Sequence, residues 1–425
     1  FILFSLIFII LILICLLILH FEYPILIFNL ASITSNSYTF SMYIAILGRQ
    51  PELGFAELQR IYKDKAARIS KEACLLDVDN VGIDRLGGTV KLAKLFLRTN
   101  SNNWHKASET IKNNLIEEFK DQDRKITLGI GAYDLKLNSK DVNKLGLAIK
   151  KGLKKHSTSI RIVPNQDLPY LSSATSFHNK LDKGDNKIEL IIVKDQNEII
   201  VGKLEGVQNI SAYAMRDQKR PKRDAFVGML PPKLAQIMIN LALGNQEPKD
   251  KLLLDPFCGT GVLLQEALLM ELKVYGTDLS QKMIDYTKIN LDWITNKKHL
   301  DSSIFLEQGD AMTHKWQITP NFIATETYLG QPFSAIPSKA KLDEVRKNCD
   351  HIVSSFLINL KDQISKDTTI CLGVPAWRNH KDSFTRLNTV FELEKLGYKK
   401  VLDKTLIYAR KDQIVARDIL VLMLQ

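Results

Sequence analysis

Three acids close successive apolar runs in the second half of this chain. Asp255 ends "KLLLD" and opens the turn Asp255-Pro256-Phe257-Cys258-Gly259-Thr260-Gly261; Asp278 ends "KVYGTD"; Asp310 lies in "SIFLEQGDA". The glycines permit a tight turn and close backbone approach. An acid about 20 residues beyond a glycine turn is spaced to accept hydrogen bonds from ribose hydroxyls, and Asp310 can accept from the amino group of an adenine. An acid at the head of the turn suits an ammonium group better than a pyrophosphate. S-adenosylmethionine has an ammonium, a sulfonium, a ribose and an adenine, and these residues offer a group for each. No Gly-Lys-Ser/Thr follows the turn, which excludes a P-loop, and the missing Gly-x-Gly-x-x-Gly spacing disfavours a dinucleotide. Any one of the acids could serve only as a helix cap or turn residue. The reading rests on three of them at consecutive strand ends.

The elements that must position them alternate. "KLLLD", a helix from Gly261, "KVYGTD", a helix from Gln281, "SIFLEQGDA", "FIATET" and "TTICLGV" predict a parallel α/β sheet covered by helices. "TLIYARKDQIVARDILVLML" predicts a C-terminal antiparallel hairpin. In such a sheet the ligand sits at the carboxyl ends of the strands, where the acids fall.

The first half reads as α+β. "MYIAILGRQPELGFAELQRIY" predicts strand, turn and amphipathic helix; "LGGTVKLAKLF" is a glycine turn feeding a strand or a helix; "ETIKNNLIEEF" is an amphipathic helix; "KIELIIVKDQNEIIVGKL" is a hairpin. In "LGLAIKKGLKKHSTSIRIVP" the spacing gathers Lys150, Lys151, Lys154 and Lys155 at a helix end, with Arg161 following. Lysines there also complement the helix dipole; the functional reading is a phosphate-backbone clamp. Arg220 and Arg223 belong to a basic junction before Pro231-Pro232, either a solvated linker or a face turned to RNA.

The motifs "DPFCGTG", "YGTD" and "QGDA" together resemble the class I S-adenosylmethionine-dependent methyltransferases, in the branch that methylates exocyclic amino groups of nucleic-acid bases. "RPKRDAFVGMLPPKLAQIMINLA" is similar to the segment before the catalytic domain in THUMP-domain tRNA guanosine methyltransferases of the UPF0020 RNA methylase type. The resemblance implies a Rossmann-like methyltransferase domain preceded by an α+β, THUMP-like RNA-binding region, with methylation of a guanosine 2-amino group in tRNA. It implies that Asp255, Phe257, Gly259, Thr260 and Gly261 hold the methionine part, Asp278 and Leu279 the ribose, and Asp310 and Ala311 the adenine. Where the family has an acidic or amide residue, two prolines and an aromatic, this chain has Glu326, Thr327, Tyr328 and Leu329. Glu326 can still accept from the amine and Tyr328 can stack on a flipped base, whereas Thr327 and Leu329 are expected to loosen the backbone. A DNA amino-methyltransferase and a catalytically impaired RNA-binding homologue are the alternatives.

Composition sets the outer limits. The 425 residues are 45% hydrophobic and 25% charged, an ordinary globular balance, and the net charge of +11 favours a polyanionic partner. Cys15, Cys74, Cys258, Cys349 and Cys371 are isolated, which argues against a zinc site or disulfides and for a reducing, cytoplasmic setting without a metal. Residues 1–19 are apolar enough to span a bilayer but lack flanking basic residues. Met42 is expected to be the native start, with a membrane anchor through residues 1–19 as the alternative. The expected divisions are 1–41, an α+β module at 42–135, the THUMP-like region at 136–220 and the methyltransferase domain at 221–425.

Overall fold

The computed structural model describes residues 42–224, 230–300, 303–380, 383–411 and 413–425; the expectations for residues 1–41 lie outside them. Among the described residues no helix is long and apolar enough to cross a membrane.

In the first half, β1 (Met42–Leu47) leads into α1 (Pro51–Tyr62), whose opening proline gives up an N–H that would have no helical partner. Then come β2 (Ala66–Arg68), β3 (Ala73–Asp77), β4 (Thr89–Arg98), α2 (Trp104–Phe119), β5 (Ile126–Tyr133), α3 (Ser139–Lys154), β6 (Ile160–Ile162) and α4 (Ser173–His178). The hairpin β7 (Lys187–Asp195) and β8 (Glu198–Val207), then α5 (Ile210–Gln218), complete it. "LGGTVKLAKLF" runs as strand β4. The strands form one sheet in the order β2-β3-β1-β4-β8-β7-β5-β6, joined across its middle by antiparallel β4 and β8.

The division expected at 135/136 falls within this one sheet. β5 precedes that point, yet it pairs in parallel with β6 and β7. A parallel pair needs a crossover connection, and here it is α3, started by a capping box between Asn138 and Asp141. The strand feeding the crossover belongs with it, and β4 pairs with β8 over Lys91–Arg98, so β1–β8 form one continuous sheet.

The second half continues with α6 (Pro232–Leu243), β9 (Leu252–Asp255), α7 (Val262–Leu269), β10 (Lys273–Asp278), α8 (Gln281–Lys298), β11 (Ile304–Gln308), β12 (Phe322–Glu326) and α9 (Lys339–Lys361). β13 (Thr369–His380), β14 (Ser383–Arg386), β15 (Tyr398–Lys400), β16 (Leu406–Tyr408) and β17 (Val415–Leu424) follow. The sheet order is β11-β10-β9-β12-β13-β17-β15, with β14 on β13 and β16 on β17. Strands β9 to β13 are mutually parallel and β17 is antiparallel to β13 and β16. The order turns back at β9, which lies between β10 and β12, and this is the switch point where the strand ends open a crevice.

Helix α6 is apolar almost all round and is buried from Leu234 to Leu243, as a helix must be when both sides are covered. The sheet covers one side. Leu53 and Ala56 of α1 join the same core, so the first half packs directly on the second. At this contact the buried Glu57 accepts hydrogen bonds from the backbone N–H groups of Gly87 (2.9 Å) and Gly88 (2.8 Å) and from Asn240 Nδ2 (2.7 Å).

Candidate functional site

The ends of β9, β10 and β12, with the turn after β11, line one cavity of about 630 Å³. Of the residues expected to bind a cofactor, Asp255, Phe257, Gly259, Thr260, Asp278, Leu279, Asp310 and Ala311 all line it, as do Glu326, Thr327 and Tyr328. Gly261 does not. Its φ of +77° starts α7, and a Cβ there would lie 2.8 Å from Thr287 Cγ2. Its role is close helix packing rather than ligand contact. Gly261→Ala is therefore expected to cost about 1–2 kcal/mol from the left-handed conformation alone, with the clash added, read as a lowered midpoint in thermal melting.

Asp255 is buried at the head of the glycine turn. Thr325 Oγ1 donates to its Oδ1 at 2.5 Å and the Phe257 N–H at 3.3 Å. Burial pushes its carboxyl up to about 7, against these two hydrogen bonds and with added repulsion from Asp278 and Glu326. Asp278 accepts from Gly259 N at 3.0 Å through one oxygen and from Ser280 N at 2.9 Å through the other, tying the end of β10 to the turn. Each of these oxygens keeps a further lone pair for a ligand hydroxyl. Asp310 accepts from Met312 N at 2.9 Å. Leu279 also lines the cavity and is 68% exposed, an apolar surface at its mouth.

Several acids and few cations line this space; Lys282 at the rim is paired with Asp224 at 3.3 Å. A ligand with positive charge, hydroxyls and a flat heterocycle fits such a donor and acceptor set, and S-adenosylmethionine has all three.

Two residues that carry no motif in the sequence hold the turn in place. The buried Asn290 of α8 donates through Nδ2 to Thr260 O (2.8 Å) and Lys222 O (2.9 Å), and its Oδ1 accepts from Lys222 N (2.9 Å). Thr287 Oγ1 donates to Gly259 O at 2.8 Å. The segment entering the catalytic half is thus pinned to the glycine turn. Arg220 belongs to the same arrangement: it is 4% exposed and its Nη1 lies 3.4 Å from Thr260 Oγ1. This corrects its assignment to an RNA-facing surface, because a guanidinium buried against the turn cannot reach a phosphate backbone. Arg223 is exposed.

At the end of β12, Arg417 Nε of β17 donates to Glu326 Oε1 at 2.5 Å. The glutamate side chain is largely shielded from water, and this desolvation raises its carboxyl while Arg417 opposes the rise. Thr327 is not loose. Its N–H donates to Gly373 O at 3.0 Å, which extends the pairing of β12 with β13, and its Oγ1 lies 3.4 Å from the same oxygen. The chain then turns at Gly330, with φ of +78°, where a Cβ would lie 2.7 Å from Val345 Cγ1. Tyr328 is 46% exposed at the cavity wall, which does not fit a core-edge tyrosine.

On the first half, Lys125, Lys150, Lys154 and Arg161 line an open groove of about 690 Å³ between α3 and β6, with the exposed Leu147 among them. Lys151 and Lys155 are exposed nearby but do not line it.

The family model for UPF0020, RMKL-like, methyltransferase domain, matches residues 220–325. The tRNA (guanine(10)-N2)-dimethyltransferase of Pyrococcus abyssi (strain GE5 / Orsay) is 38% identical over 122 residues, 28% of this chain and 31% of that protein. The enzyme of the same name from Methanothermobacter thermautotrophicus is 43% identical over 162 residues, 37% of this chain and 43% of its own length. This chain therefore spans less than half of either relative. A "Probable tRNA (guanine(10)-N2)-dimethyltransferase" of Methanothermococcus thermolithotrophicus is 32% identical over 124 residues, which are 28% of this chain and 73% of that protein.

Proposed function

This chain belongs to the UPF0020 family of RMKL-like methyltransferase domains, and on that premise we propose that it methylates the exocyclic 2-amino group of a guanosine in tRNA. One observation carries the proposal: Glu326 and the exposed Tyr328 share a cavity with Asp255, Asp278 and Asp310. The acceptor for an amine thus lies beside the set of groups that suits S-adenosylmethionine.

S-adenosylmethionine, when bound, supplies an electrophilic methyl on a positively charged sulfur. The protein must do the rest. A base amine is a poor nucleophile because its lone pair is delocalised into the ring. A hydrogen bond from the amine to Glu326 concentrates that pair on nitrogen, and stacking on Tyr328 holds the base once it has left its helix. As the N–C bond forms and the S–C bond breaks, the nitrogen sheds one proton, which Glu326 accepts or passes to water. Asp255 and the glycine turn would hold the ammonium end, Asp278 the ribose and Asp310 the adenine. Positioning of the two reactants supplies most of the rate.

The sheet formed by β1–β8, with the THUMP-like region inside it, is the RNA-docking part in this account, and the groove between α3 and β6 is where it meets the phosphates. Relatives that modify tRNA and the isolated cysteines favour a cytoplasmic location. Replacing Lys150, Lys154 and Arg161 by alanine is expected to weaken RNA binding and to flatten its dependence on salt by about one unit of log–log slope for each phosphate that is no longer neutralised. Turnover at saturating RNA should stay near that of the unchanged protein. Fluorescence anisotropy over a potassium chloride series checks this, and an unchanged slope would remove the groove from the interface. The reading as a whole is tested by offering methyl-labelled S-adenosylmethionine with RNA and with DNA of matched sequence. Label on RNA alone supports it, whereas label on DNA alone would make the chain a DNA amino-methyltransferase.

A further inference from the structure

The pair formed by Glu326 and Arg417 asks more of the site than acceptance of a hydrogen bond. Both side chains are nearly out of water, at 12% and 7% exposure, and they come from strands with β13 between them. In register, Glu326 is opposite Gly373, which has no side chain, and Arg417 is opposite Pro375. The guanidinium can therefore reach across β13 to the carboxylate, with the Tyr408 ring 6.0 Å away.

A buried carboxyl does one of two jobs. Ionised, it only accepts; protonated, it carries an O–H that would meet the amine hydrogens instead of receiving them. Burial favours the neutral form and Arg417 opposes it, while Asp255 on β9 lines the same cavity. From α6, Lys233 is turned to the ring of Tyr213, 5.1 Å away. Arg417 is the cation in contact with Glu326.

We propose that Arg417 is a positioning residue for amine methylation: it fixes Oε1 of Glu326 and keeps the carboxylate charged, leaving Oε2 to receive the amine N–H. The inference rests on the methyl-transfer reading above. Its reach is specific, because a merely structural ion pair would affect stability without changing how turnover depends on pH.

The test compares kcat, at saturating cofactor and RNA, across pH 5.5–9 for the unchanged protein, Arg417→Gln, Arg417→Lys and Glu326→Gln. For Arg417→Gln the acid limb is expected to move up by at least one pH unit, so that on the acid side of both limbs kcat falls about tenfold further, for each unit moved, than kcat at pH 9. The cofactor KM should not change. Arg417→Lys keeps the charge and returns the limb toward its original place, and it also serves if the glutamine variant folds poorly. Glu326→Gln has no group to titrate and loses the limb. Loss by the same factor at every pH, or no loss, would overturn the proposal. A second readout does not need turnover: infrared pH-difference spectra should show a carboxylic-acid carbonyl band that is lost in Glu326→Gln and titrates at higher pH in Arg417→Gln, distinct from the bands of Asp255 and Glu57, which stay in place. A Glu326 band that titrates at the same pH with and without Arg417 means that Arg417 does not hold the charge. If the unchanged protein transfers no methyl to RNA, the functional reading fails, and the infrared result still decides the role of Arg417.

Discussion

Glu326→Gln is expected to lower turnover on RNA by about 10²–10⁴-fold, the range for losing a group that handles a proton at the reacting atom, while cofactor affinity stays unchanged. The amide keeps the shape and removes the charge. Its oxygen still accepts, but far more weakly than a carboxylate, and it can no longer take a proton. Alanine is the worse probe, because it leaves Arg417 buried beside nothing, at a cost of about 3–5 kcal/mol for breaking a buried pair. Single-turnover rates with prebound cofactor, beside direct binding titrations, separate the chemical step from binding. Equal losses in both would mean that Glu326 shapes the cavity instead of serving the amine.

A second large effect concerns Asp255. Its carboxyl titrates near 7 in the folded protein, with burial as the main cause. Below that pH it is protonated, so a cationic ligand that needs the carboxylate must displace a proton. Affinity for S-adenosylmethionine is thus expected to rise about tenfold per pH unit up to pH 7 and then level off, each unit being worth ~1.4 kcal/mol. Calorimetry at pH 6 in two buffers of different ionisation heat should show about one proton released on binding. Asp255→Asn should abolish both the slope and the release, and a slope that survives this change would assign the proton to another group. The sign for stability is opposite. An unfolded aspartate ionises near 4, so the folded protein without ligand holds the extra proton between about pH 4 and 7 and loses stability as pH rises through that window. Glu57, also pushed up to about 7 by burial at the contact between α1 and α6, adds the same trend. The Asp255→Asn variant is therefore the comparison that isolates the site.

The acids at the strand ends are legible in the sequence because two local signals coincide there. A run of apolar residues ends and a glycine turn or polar break begins, and in a parallel sheet those ends share one edge. The same locality explains what sequence reasoning misplaces. Arg220 stands among lysines and arginines in the sequence, and nothing nearby shows that the turn 40 residues on will bury it. Arg417 reads only as part of a hairpin, since its partner is 91 residues away and the two meet only because Gly373 leaves room over β13. Thr327 in place of a proline suggests a looser segment, but a residue with an N–H can extend a strand ladder where a proline cannot, and Gly373 O receives that N–H. The sheet partners of β5 are not legible either: it lies before the expected division at 135/136, and only pairing over long sequence separations joins it to β6 and β7.

The most direct test of the account is nucleoside analysis of unmodified tRNA after incubation with the protein and methyl-labelled S-adenosylmethionine. Label is expected on guanosine, on the 2-amino nitrogen, and to form about 10²-fold more slowly or worse when Glu326→Gln replaces the unchanged protein. Label on the amino group of adenosine or cytidine, or cofactor binding without any labelled nucleoside, would contradict it.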